Sequence, residues 1–322
     1  MSESGGARPQ LSDLPGARRL SAALTTSSYR LGAMASRVMP AAVAAGLTTP
    51  IGAGARFANA DRRAMIERHL QRADPTLSGA ALRQATREAF DSYAHYWLES
   101  FRLPTLSNKI VDVGFREEGY SAVVDALDAG TGAILALPHL GGWEWAGRWI
   151  ADQGHPITVV VERIDPPELF EWFVDLRSNL GMTVVPLGPD AAGAVTRALR
   201  DNEIVCLLSD RDLQGGGPEV EFFGERTTLP GGPAMLSLRT GAPIFPTAVY
   251  FTEENDGHFG LVRPAMSVER RAKRLRDDVN RITQDLANEF EFLIKRAPSQ
   301  WHMFQANWPS DPGYPPWKGS DR

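Results

Sequence analysis

The chain has 322 residues, 43% of them hydrophobic and 23% charged. That balance suits a folded soluble protein and argues against a disordered, collagenous, coiled-coil or many-spanning membrane chain. One cysteine, Cys206, excludes an intrachain disulfide and a cysteine-rich zinc site, and a net charge of −5 gives no global attraction to nucleic acid.

Residues 1–10 are polar and lack the basic-then-apolar order of a secretory signal. Arg18, Arg19, Arg30 and Arg37 then alternate with Leu20, Leu24, Tyr29, Leu31 and Met34. Such a basic amphipathic stretch suits an anionic membrane surface; a helix packed on the core is the alternative. Residues 38–55 carry no charge and just reach the length of a bilayer span. Pro40, Gly46, Pro50, Gly52 and Gly54 argue instead for two helices broken near Pro40 and Pro50. Asp61 is placed to cap a helix through His69, with Met65, Ile66 and Leu70 at helical spacing. A second helix is expected over 79–101, started by Ser78 and stopped by Pro104, with Leu82, Phe90, Tyr93, Trp97 and Phe101 as its apolar stripe.

From about Val111 strands and helices alternate. The pattern predicts strands over 111–117, 133–138, 157–162, 182–187 and 204–209. Helices are predicted over 120–128, 142–153, 167–180, 191–201 and 230–239. Residues 133–138 read AILALP, a continuous apolar run of the kind buried on both faces of a parallel sheet. A glycine-rich loop at 215–217, two strands over 244–251 and 259–264 that pair antiparallel at one edge, a long helix over 269–295 and a Trp- and Pro-rich tail complete the chain. The expectation is an α/β fold with a mostly parallel central sheet flanked by helices, residues 105–322, behind an N-terminal helical region, residues 1–104.

Sites in such sheets lie just past the carboxyl ends of strands. His139 stands there, in the segment Pro138-His139-Leu140-Gly141-Gly142-Trp143-Glu144-Trp145. The two glycines permit a tight strand-to-helix turn. Glu144 falls at the start of the following helix, where the dipole favours its charge, and a four-residue spacer can return it to the imidazole. A carboxylate on one ring nitrogen fixes the tautomer and raises basicity at the other, which makes a general base for an alcohol. A hydrogen-bonded structural histidine beside a helix-start glutamate is the plainer reading, and the strand–Gly-Gly–helix setting favours catalysis over it. No Gly-x-Ser-x-Gly is present, and Cys206 lies inside an apolar strand, so no covalent nucleophile of a hydrolase is evident.

The segment resembles the first motif of the lysophospholipid acyltransferase superfamily, His, four residues, then Asp or Glu. Its Glu form is similar to the branch that holds the lipid A acyltransferases and the actinobacterial phosphatidylinositol mannoside acyltransferases. Ser209-Asp210-Arg211-Asp212, Glu221-Phe222-Phe223-Gly224, Leu229-Pro230-Gly231-Gly232-Pro233-Ala234, Thr240-Gly241-Ala242-Pro243 and Gln300-Trp301-His302-Met303 agree with that branch in the same order, over roughly 85–308. The usage of 30 Arg against 4 Lys, in an alanine-rich chain, fits the actinobacterial members. The resemblance implies direct transfer of an acyl group, palmitoyl in the first instance, from acyl-CoA to a mannose hydroxyl of a phosphatidylinositol mannoside. It places the protein peripherally on the cytoplasmic face of the plasma membrane, with an anionic inner-leaflet surface and a glycolipid acceptor as partners. Acyl-CoA is then a substrate, and no cofactor, metal or nucleic acid is expected. His139 takes the acceptor proton and Glu144 orients it.

The remaining candidates each have a plainer alternative. Asp210 ends a strand at the reaction edge and can serve as a second carboxylate for His139, orient the acceptor, or pair with Arg211; Asp210 and Asp212 show no third ligand for a metal. Arg177, Arg211 and Arg239 suit donor or acceptor phosphates, against a surface or helix-end role. Glu162 ends its strand as Asp210 does. Gly216 and its neighbours allow close backbone approach to a ligand. Trp143, Trp145, Phe222 and Phe223 can line an acyl groove or fill the core. Arg270, Arg271, Lys273, Arg274 and Arg276 can touch anionic headgroups or form a solvated face. His302 serves as a control for mutation. The competing functions are acyl transfer to another glycolipid or glycerolipid, a thioesterase, and a noncatalytic lipid-binding protein.

Overall fold

The computed structural model of the chain describes residue 27 and residues 31–315. Arg18, Arg19, Leu20, Leu24, Tyr29 and Arg30 of the basic stretch lie outside the described residues. Residues 31–37 are helical (α1), followed by α2 (Ala41–Ala58), α3 (Ala60–Ala73) and α4 (Gly79–Arg102). Pro40 separates α1 from α2 as expected, but Pro50 sits inside α2 and does not break it. No described helix is long and apolar enough to cross a membrane. Asp61 is not a cap: it lies in the first turn of α3, behind Asn59 at the N-cap, and serves the helix dipole there.

The core follows as α5 (Asn108–Val113), β1 (Phe115–Glu118), α6 (Ser121–Asp128), β2 (Ala133–Leu137), α7 (Trp143–Asp152), β3 (Ile157–Val161), α8 (Pro167–Asn179), β4 (Met182–Pro186), α9 (Ala191–Arg200) and β5 (Ile204–Leu208). After a loop come a hairpin of β6 (Glu219–Phe222) and β7 (Glu225–Thr228), then α10 (Gly232–Thr240), β8 (Ile244–Phe251), β9 (His258–Val262) and α11 (Leu275–Lys295). The strand expected over 111–117 is a helix and a short strand. Ser107 caps α5 by accepting a hydrogen bond from the Ile110 amide, which pulls Val111 into the helix. The last long helix starts at Leu275 rather than 269. Asp278 draws Arg270 and the amides of Arg271 and Ala272 onto its carboxylate, holding that stretch extended.

The seven-stranded sheet has the order β1-β9-β8-β2-β5-β3-β4, and β8, β2, β5, β3 and β4 run parallel. β8 and β9 are antiparallel as expected, but β1 pairs outside β9 and forms the edge. β2 is buried along its whole length. Side chains alternate across a strand, so Ile134 and Ala136 enter the core under α9, α10 and α11, while Ala133, Leu135 and Leu137 enter the core under α6 and α7. Apolar burial on both faces is the main stabilising term of this sheet.

Candidate active site

Strand register builds the site. β2 pairs with β5 so that Leu137 faces Leu208, and β5 pairs with β3 so that Cys206 faces Val159. Two residues past that front, His139 and Asp210 emerge side by side, with Glu162 just past the end of β3. Gly141 turns the chain from β2 towards α7 with φ +61, and a Cβ there would collide with the Val249 carbonyl.

Asp210 is fully buried and holds His139. Its Oδ1 lies 2.6 Å from His139 Nδ1, and its Oδ2 accepts from the His139 amide at 2.9 Å and from Trp301 Nε1 at 2.8 Å. Asn307 Nδ2 donates to the Asp210 carbonyl at 2.9 Å. Burial raises the Asp210 carboxyl pKa, but the charge of His139 and the hydrogen bonds from His139 and Trp301 outweigh it and hold the group below its ordinary range. With Nδ1 committed, Nε2 is the ring nitrogen with no hydrogen-bond partner among the described residues. Neighbouring Trp143 meets the imidazole edge-on at 5.7 Å between ring centres.

Glu144 does not take the place expected for it. It is buried in the first turn of α7, where Arg177 donates to Oε1 at 2.5 Å and the Tyr96 hydroxyl donates at 3.2 Å. The helix start turns its side chain to α8 and α4, and Arg177 is bound to Glu144 rather than free for phosphate. Burial lowers the Arg177 pKa, but its interactions with Glu144 and Tyr96 more than reverse this and keep the guanidinium charged.

A cavity of about 350 Å³ opens beside His139. Trp97, Trp143, Ile164, Phe170 and Phe173 form an apolar wall, and Glu162, Arg177, Arg211 and Asp212 supply polar groups. Arg211 donates to Glu162 at 2.9 Å rather than to Asp210. Asp212 is occupied by the amides of Gln214, Gly215 and Gly217, which organises the glycine loop. The carboxylates of Asp210 and Asp212 therefore do not converge on a shared cation position. Gln214 lines the cavity, whereas Gly216 is exposed and does not. Arg239 is exposed in the last turn of α10 and lines no wall of this cavity. Of the four aromatics considered for a groove, only Trp143 lines it. Trp145 stacks on His258 and Phe222 on Trp308, both fully buried, and Phe223 packs against Trp301. Cys206 is half-buried inside β5, and desolvation pushes its thiol up to about 12, which disfavours the thiolate.

A family model described as bacterial lipid A biosynthesis acyltransferase matches residues 16–310. The chain belongs to that family. The match bears out the resemblance and extends it well upstream of residue 85. The chain is 37% identical over 302 residues to the phosphatidylinositol mannoside acyltransferase of Mycolicibacterium smegmatis, covering 92% of this chain and 96% of that one. It is 38% identical over 293 residues to the protein of that name from Mycobacterium tuberculosis, covering 89% of each.

This family member carries site residues that its sequence did not single out. The segment Gln300–Asn307 crosses the motif loop: Gly141 donates to the Gln300 carbonyl at 3.0 Å, and His302 donates from its amide to the His139 carbonyl at 2.7 Å. Trp301 and Asn307 thus reach Asp210 from the far end of the chain. Tyr96 comes from α4, which reads as a core stripe. The resemblance of Gln300-Trp301-His302-Met303 to the branch was the one signal that pointed at this segment. Arg270 and Arg271 are engaged by Asp278 and Glu269, a structural use of part of the basic run.

Proposed function

We propose that this acyltransferase moves a long-chain acyl group, palmitoyl in the first instance, from acyl-CoA to a mannose hydroxyl of a phosphatidylinositol mannoside. The observation that carries the reading is the His139–Asp210 pair, which leaves Nε2 unpartnered at the mouth of a cavity with an apolar wall. The substrate assignment rests on the relatives' names and on the resemblance. Nε2 removes the proton of the acceptor hydroxyl as its oxygen attacks the thioester carbonyl. The C–O bond forms, the C–S bond breaks, and the proton passes from His139 to the departing thiolate. Asp210 fixes the tautomer through Nδ1–H and stabilises the imidazolium formed in transit. Glu144 acts at one remove, by locking Arg177 and the start of α7. The wall of Trp97, Ile164, Phe170 and Phe173 suits an acyl chain.

The protein works in this reading on an anionic membrane surface at the cytoplasmic face. Leu31, Met34 and Val38 on and just after α1 are exposed, as are Val43, Ile51 and Phe57 on α2, an uncommon amount of apolar surface for two adjoining helices.

The test is CoA release from palmitoyl-CoA by wild type and His139→Ala, each with and without phosphatidylinositol mannoside, with the lipid product identified by mass. Acceptor-dependent release and one added acyl group, both lost in the variant, are expected. Release that ignores the acceptor would instead indicate a thioesterase, and binding of acyl-CoA without turnover would indicate a lipid-binding protein.

A further inference from the structure

A second cavity adjoins the first on its polar side. It measures about 220 Å³ and is lined by Glu162, Arg211, Asp212, Thr228, Gln305 and Tyr314 among others. Glu162, Arg211 and Asp212 line both cavities, so the Arg211–Glu162 ion pair stands in the wall between them. Two buried polar atoms of this lining have no hydrogen-bond partner among the described residues: Nε of Arg211 and Oγ1 of Thr228. Buried donors are normally paired, and orphans at a cavity wall mark where a ligand or an ordered water completes the set.

The charges of the lining select the ligand. Arg211 is already bound to Glu162 at 2.9 Å, and Asp212 adds a second carboxylate. The charged groups named here therefore sum to a net negative charge, which disfavours a polyphosphate such as the nucleotide end of CoA. Hydroxyl groups fit: they accept from Arg211 Nε–H, exchange hydrogen bonds with Thr228 and Gln305, and donate to Glu162. Resting on the acceptor reading above, we propose that this cavity seats a neutral polyhydroxyl ring, a sugar or cyclitol, of the acceptor headgroup. The ring held there lies across the Arg211–Glu162 wall from the one whose hydroxyl is presented to His139.

Calorimetric titration tests this with two probes: the deacylated headgroup, a mannosylated glycerophosphoinositol, and coenzyme A. The proteins are wild type, Thr228→Val, which deletes one hydroxyl at nearly constant shape, and Gln305→Ala, a change at an exposed residue. Their melting temperatures check that the fold persists. Each variant is expected to weaken headgroup binding by about 3- to 10-fold, the loss of one hydrogen bond, and to leave coenzyme A binding unchanged. Acceptor KM rises by the same factor at constant kcat. Unchanged headgroup affinity in both variants overturns the proposal. Weakened coenzyme A binding with unchanged headgroup binding also overturns it, and assigns the cavity to the donor. A wild type that binds the headgroup through these residues but transfers no acyl group would sink the catalytic reading and leave this subsite standing.

Discussion

His139 and Asp210 are joined twice, through ring Nδ1 at 2.6 Å and through the backbone amide at 2.9 Å. The double attachment fixes both the tautomer of the imidazole and the position of the loop that carries it. A carboxylate held this way orients and stabilises without needing to accept the proton.

Asp210→Asn is expected to lower kcat by roughly 10³- to 10⁴-fold, because the amide can hold the ring in the wrong tautomer. KM for either substrate should change little, since Asp210 is fully buried and does not line the cavity. Steady-state kinetics on folded variant check this. A KM effect at constant kcat would place Asp210 in substrate binding instead.

Buried Glu144 pairs with half-buried Arg177 and with Tyr96, so removing one partner strands the other. Glu144→Gln and Arg177→Met are each expected to destabilise by about 3–5 kcal/mol, and the double variant by clearly less than the sum. A double-mutant cycle from denaturant unfolding measures the coupling. Additive losses would show that the two side chains are energetically independent.

The sheet and most of its helices are legible because apolar runs such as AILAL and the amphipathic spacing of 191–201 report burial directly. The hairpin β6–β7 is not, since EVEF and ERTT are four residues each and half polar, and β6 docks on α11 through Gln284 bonding Glu221. The site was half legible. His139 follows from the strand–Gly-Gly–helix pattern. Its partner follows only as one of two candidates, because Asp210 at its strand end lies 71 residues away and is brought in by β2–β5 register, whereas sequence nearness favours Glu144. Trp301, 91 residues from Asp210, is further still from any local pattern.

His302 supplies a pH dependence of stability. Burial, and then the charges of His139 and His95, push its imidazole from 6.5 down to about 3. Between those values the unfolded chain takes a proton that the folded one refuses, so stability rises with pH there and is lost as pH falls from 6.5 towards 3. The slope from this one group is at most about 1.4 kcal/mol per pH unit. His302→Gln can keep the bond to Ser92 and is expected to flatten the profile in this window, read by urea unfolding across pH. An unchanged slope would show that other groups set it.

Membrane docking through α1 predicts a surface phenotype. Leu31, Met34 and Val38 are 66%, 65% and 83% exposed, so replacing all three by Glu should leave the melting temperature unchanged. Binding to anionic vesicles should weaken roughly tenfold or more, from lost apolar burial and added repulsion. Co-sedimentation with phosphatidylglycerol-containing vesicles measures it. Equal sedimentation of variant and wild type would move the docking surface elsewhere.

Trp301 tests whether the crossing segment acts on catalysis or only on folding. Among the described residues its indole N–H is the one side-chain donor to the Asp210 carboxylate besides His139. Trp301→Phe keeps most of the buried aromatic surface against Phe222 and Trp308 but deletes that bond. A hydrogen bond to a charged group is worth about 1.5–3 kcal/mol, which sets a fall in kcat of roughly 10- to 100-fold as the upper range. The Asp210 carboxyl then loses one of the bonds that hold its pKa down, so the variant should also become more sensitive to acid than wild type. Its stabilising effect is present above the ordinary value of 3.8 and fades as pH falls through the folded value, so raising that folded value shrinks the effect and moves its loss to higher pH. Trp301→His, which restores a ring N–H donor, should recover part of both. A stability loss in Trp301→Phe with kcat unchanged would make the segment a structural strap and nothing more.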